Sequence, residues 1–356
     1  MDEATLTDAS LLIGLGRFDE AEAVLGDMLD RGDLGADGEL ASHALEGLGT
    51  IATRRGQEAR ALDLFERAIE RGGRPDPAER EELYTNAARL RSYTGDSDGA
   101  VALLQECIDR LSAVPDSDPA LVAHYSITLS YALADAGRFG PAGSVLARVL
   151  QTGGEDLDLA VRRRLWYALT RLNMNIGRLE QAVEYSEKTL DASKQLGHES
   201  LVFDAYLQCA HVRLDANETA KAAAYLEAAR ANAIEPVSTV DEGFLRLEEA
   251  RLALQEGDYA EALNRAGSSL EILRDESSVP GKRGLAYLVI ARVHEYEGDD
   301  DRANRFYLYA IDALKMQTGW PTYLAKAYRR YGKFLRRVGR PEDAIEMLEL
   351  ASETGF

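Results

Sequence analysis

Nine positions recur along this chain at intervals of 39 to 42 residues, and they hold Ser10, Thr50, Arg89, Tyr131, Arg171, His211, Arg251, Arg292 and Lys333. Five of the nine are Arg or Lys, where the composition gives about one by chance. Nearby positions add Arg164, Tyr167 and Asn175 in the fifth period, with Asn86 and Tyr93 in the third. A guanidinium grips a carboxylate through two parallel N–H donors, and an Asn side chain pairs with a peptide N–H and C=O at once. The pattern suits an extended ligand that carries an acidic side chain or a free C-terminus. Its expected contacts are Asn86, Arg89, Tyr131, Arg164, Tyr167, Arg171, Asn175, His211, Arg251, Arg292 and Lys333. A second account pairs the arginines internally with glutamates such as Glu46, Glu248 and Glu295.

One further stretch, Leu324 to Gly339, concentrates Lys326, Arg329, Arg330, Lys333, Arg336 and Arg337 on a single helix of an acidic chain. Its plain reading is a solvated face that balances neighbouring Glu and Asp. Catalytic patterns are missing: there is no HExxH, no nucleophile elbow, no phosphate loop and no Cys/His pair at metal spacing. His43, His124, His198, His211 and His294 are scattered. An enzyme is not expected, and neither is a cofactor or a metal.

The elements that must position the ladder are read best between Ala41 and Gly72, as a helix, a turn at Gly56 and a second helix running back along the first. Gly49 allows a close approach of the two helices, Gly56 ends the first, and Ala61 sits at the crossing. Turn residues recur at Gly16, Gly56, Gly95, Gly137, Gly177, Asn217, Gly257, Gly298 and Gly339. Asn replaces Gly once, as expected where a helix ends in a left-handed residue. Five residues after every turn stands an alanine: Ala21, Ala61, Ala100, Ala142, Ala182, Ala222, Ala262, Ala303 and Ala344. At about 100° per residue, the ladder positions face away from the stripe that packs on the partner helix.

In these residues the chain resembles the tetratricopeptide repeat (TPR) family over nearly its whole length. Leu45, Leu48-Gly49, Ala61, Phe65 and Ala68 match the family pattern. Trp166 fills the large-residue position in the fifth unit, and Tyr84, Tyr206, Tyr287 and Tyr328 fill it elsewhere. The period exceeds the usual 34 residues by about six. Longer helices of this kind resemble the TPR sensor domains of bacterial regulators. The style of GRFDEAEAVL and ALEGLGTIATRRG is similar to the C-terminal half of regulators with an Xre-type helix-turn-helix head.

The resemblance implies an all-α, right-handed α-solenoid of nine TPR-like helix-turn-helix repeats of about 40 residues, forming one domain over residues 1–356, with the ladder lining a concave groove. It implies a peptide or protein partner in that groove, and it allows a homodimer. Two functions fit. One is the ligand-sensing part of a bacterial transcription regulator, whose superhelix changes pitch on binding; the other is a protein–protein interaction scaffold that does not switch.

Forty-one basic against 61 acidic residues give a net charge of −20, which argues against direct grip on nucleic acid or an anionic membrane. No secretory signal or membrane-length apolar run is present, and a cytoplasmic protein is expected. Cys107 and Cys209, the two cysteines, fall at core positions of different units. The first unit is expected to have a short first helix, from about Thr5 to Leu15, with Asp8 where other units are apolar. That apolar, truncated start suggests a preceding or docking segment, or else a frayed end. Seven of nine prolines lie in connectors, and Pro141 and Pro341 fall in first turns of second helices.

Overall fold

A computed structural model of the chain describes residues 2–30, 38–115, 117–153, 157–233, 237–274, 279–317 and 319–354. Among the described residues it is an all-α repeat solenoid of 18 helices with no strand. Two compact units divide it. The first, Met1–Ala136, holds α1(Asp2–Gly14), α2(Phe18–Asp30), α3(Gly38–Arg54), α4(Glu58–Arg71), α5(Glu81–Tyr93), α6(Ser97–Ser112) and α7(Pro119–Asp135). The second, Gly137–Phe356, begins with α8(Phe139–Gly153), α9(Leu159–Asn175), α10(Leu179–Leu196), α11(Glu199–Asp215) and α12(Thr219–Ala231). It continues with α13(Thr239–Glu256), α14(Tyr259–Ile272), α15(Pro280–Glu297), α16(Asp300–Lys315), α17(Pro321–Arg337) and α18(Pro341–Thr354).

Each repeat turn rests on one left-handed residue. All nine expected turn positions have positive φ, from 61° at Asn217 to 95° at Gly95. The residue after the turn returns its N–H to a carbonyl five residues back, as Gln57 does to Ala52 at 2.9 Å and Glu218 to Arg213 at 2.8 Å. These bonds satisfy carbonyls that the helix end would otherwise orphan. The nine alanines five residues later are all buried, at most 2% exposed. A Cβ built on Gly49 would lie 2.9 Å from the Phe65 ring, so only glycine admits that ring against α3.

The helix starts are chemically marked too. Asp96, Asp118, Asp158, Ser238, Asp258 and Asp299 accept from backbone N–H groups in the first turns that follow them. Two expectations shift. Pro119, Pro280 and Pro321, expected in connectors, open α7, α15 and α17, because a first-turn residue needs no N–H donor. Helix α1 starts at Asp2 rather than near Thr5, and Leu11 on it and Leu15 just after it are each 63% exposed.

Within the second unit, α11, α13, α15 and α17 lie side by side in that order, and α17 also reaches α9. There the Thr322 hydroxyl donates to the Asn175 carbonyl. The first helices of the last repeats therefore share one wall, which α17 closes.

Candidate ligand-binding site

The wall carries a buried polar network. Glu248, on α13, is fully buried; it accepts from Arg251 Nη1 at 2.7 Å and lies 2.8 Å from His211 Nδ1 on α11. The other terminal nitrogen of Arg251 pairs with Asp215 at the end of α11. Asp215 also accepts from Lys326 Nζ at 2.7 Å and from the Tyr323 hydroxyl at 3.2 Å, both on α17. His211 Nε2 sits 2.6 Å from that same hydroxyl.

Burial alone would raise the Asp215 carboxyl, but Arg251 and Lys326 outweigh it and hold the group well below the usual carboxylate range. Burial likewise opposes the charge on Arg251, and Glu248 and Asp215 reverse that. Burial, with Asp215 adding to it, keeps Tyr323 protonated far above its ordinary value. Every charge in this network has an opposite charge or a hydrogen bond, as buried polar groups require.

Beside the network is a pocket of about 370 Å³. Leu214, Leu254, Leu285, Leu288 and Val289 give it an apolar lining, with Asn217 and Gln255 adding amides. Six cations line it (Arg251, Arg292, Lys326, Arg329, Arg330 and Lys333) against one carboxylate, Asp215. Arg251 and Lys326 are held by Asp215. The remaining four make no ion pair among the described residues. Among the described residues Arg292 contacts Tyr296, whose hydroxyl is 3.3 Å from Nη2 and whose ring centroid is 5.8 Å from the guanidinium. Arg330 is exposed over the residue as a whole, but desolvation of its guanidinium and then the like charge of Arg292 lower it from its ordinary value, with Tyr307, Tyr296 and Glu295 opposing. A site that gathers uncompensated cations stabilises an anion placed among them.

The expected contacts separate into three groups. Arg251, Arg292 and Lys333 line this pocket, and His211 stands behind it in the network. Arg164, Tyr167 and Arg171 are half-buried on α9, and Asn175 is buried where α9 meets Thr322. Asn86, Arg89 and Tyr131 belong to the first unit, where Arg89 donates to Asn86 at 3.2 Å and lies over the Tyr93 ring.

Of the three glutamates weighed as internal partners, Glu248 alone binds a ladder arginine. Glu46 takes Arg80 at 2.6 Å, and Glu295 takes Arg337 and the Tyr307 hydroxyl. The basic helix divides similarly: Arg337 balances Asp300 and Glu295, as a solvated face does, while Arg329, Arg330 and Lys333 turn to the pocket. The signal was in the spacing, since 326, 329, 330 and 333 share one helical face. Cys107 and Cys209 are buried free thiols, and burial pushes both up to about 12. Among the described residues no cluster of His, Cys, Asp and Glu is arranged to hold a metal, and no helix is long and apolar enough to cross a membrane.

No family model matches the chain. A curated relative, photosystem I assembly protein Ycf3 of Rippkaea orientalis (strain PCC 8801 / RF-1), is 27% identical over 112 residues, which is 32% of this chain. That stretch spans 62% of the relative's length. Among solved structures, the Rap protein complexed with Competence and Sporulation Factor superposes over 99% of this chain and 97% of its own, with TM-score 0.66 and 12% identity. NprR in complex with its cognate peptide NprX covers 77% of this chain and 78% of its own, with TM-score 0.55 and 14% identity.

Proposed function

The chain has the fold of TPR-type helical-repeat proteins, and from that premise we propose that it is the ligand-sensing part of a cytoplasmic bacterial transcription regulator. Its ligand is an extended, carboxylate-bearing peptide seated on the second unit's wall. The observation that carries this reading is the set of four cations, Arg292, Arg329, Arg330 and Lys333, that converge on one pocket and make no ion pair among the described residues. The similar NprR structure contains a peptide, which favours a peptide over a folded partner. Binding biases how α17 sits on α11 and α13, and that change is passed to a DNA-binding head or a dimer partner. DNA contact by this chain is not part of the reading, given its net charge of −20.

The test is selection from a random library of short peptides on the immobilised chain, read by mass spectrometry. Acidic peptides should be enriched on the parent and lost on an Arg330→Ala/Lys333→Ala variant. Equal enrichment on both proteins overturns the reading.

A further inference from the structure

We infer that the pocket receives the C-terminal end of the peptide, with Asp or Glu as the last residue and an aliphatic residue before it. The inference rests on the peptide-sensing reading above and specifies its ligand. Charge is the first argument. Asp215 is already engaged by Arg251 and Lys326, so it offers nothing to a ligand cation. Arg292, Arg329, Arg330 and Lys333 remain, and a single carboxylate leaves most of that charge unmatched. A C-terminal Asp or Glu brings an α-carboxylate and a side-chain carboxylate on one residue. A free N-terminus would bring an ammonium group into the same cations, which sets the direction of the chain.

Size and lining point the same way. Ligand pockets run from about 300 to 1,000 Å³, and this one, at about 370 Å³, suits the end of a peptide rather than its middle. Tyr323 lines it and is fixed by His211 and Asp215, so one wall of the pocket is braced before a peptide arrives. Of the aliphatic lining, Leu214, Leu254, Leu285 and Val289 are already buried in the core, and Leu288 is the half-buried side chain left for an aliphatic penultimate residue to cover.

Three fluorescent peptide pools test this, each randomised upstream and labelled at the N-terminus. One ends in Leu-Asp with a free carboxylate, one in Leu-Asp amide, and one in Leu-Asn with a free carboxylate. Anisotropy on the full chain should rank the first pool tenfold or more ahead of each of the others, the ratio expected for one lost charge-assisted hydrogen bond. Arg330→Ala, an exposed substitution, should narrow that ratio. Equal binding of the amide pool overturns the terminal assignment while the peptide reading stands. Binding by no pool overturns both.

Discussion

Asp215→Asn isolates the network that joins α11, α13 and α17. The change keeps the side chain's shape and removes one charge. Asp215 is 8% exposed and holds Arg251, Lys326 and Tyr323. Removing one partner of a buried ion pair costs about 3–5 kcal/mol, because the other charge is left uncompensated. Arg251 keeps Glu248 at 2.7 Å, and Lys326, 37% exposed, turns toward water. The loss should therefore fall at the lower end, about 3 kcal/mol, read as a lower urea midpoint at pH 7.

The pH dependence has a definite sign. The folded Asp215 pKa is depressed, so its contribution is fully present above the unfolded value, about 3.9, and is lost as pH falls through the folded value. The gap between parent and variant should persist from neutral pH to about 4 and close only below it. A loss under about 1 kcal/mol at pH 7, the size of an exposed pair, would refute the claim that this network is a buried brace.

Three other outcomes follow from the fold. Ala61→Leu should destabilise by about 1–3 kcal/mol in urea, since Ala61 is fully buried at a helix crossing; parent-like stability would mean the repeat register is wrong. Asn217, at φ 61°, should tolerate Gly within a few tenths of a kcal/mol and lose about 1–2 kcal/mol as Ala, again by urea melts. Cys107 and Cys209, with thiols pushed up to about 12, should resist iodoacetamide at pH 8 until the chain is unfolded. Because these pKa values lie above the unfolded one, their contribution to stability is present at neutral pH and declines above about pH 8.5.

The repeat was legible because its requirements are local. A left-handed residue at Gly56 and a small one at Ala61 are demanded by a single turn and a single crossing, wherever the unit sits in the chain. The site was legible in part. Periodicity placed Arg251, Arg292 and Lys333 on one wall, since all three share a repeat position. It did not reveal that Arg251 is held by Asp215 and Glu248, because that depends on which carboxylates the neighbouring helices bring within reach. The solvated reading of Arg329 and Arg330 agrees with their exposure, but it did not place them at the pocket, because the face α17 turns toward α15 is set by packing between repeats rather than by α17 itself.

The most direct test of the account is calorimetry of the best-binding acidic peptide on the parent and on Arg292→Ala. Among the described residues Arg292 makes its hydrogen-bond and ring contacts with Tyr296 alone and is otherwise repelled by Arg330, so the variant's urea midpoint should be no lower than the parent's. A charge-assisted hydrogen bond is worth about 1.5–3 kcal/mol, and affinity should fall tenfold or more. Parent-like affinity in Arg292→Ala would contradict the claim that this pocket's unpaired cations hold the ligand.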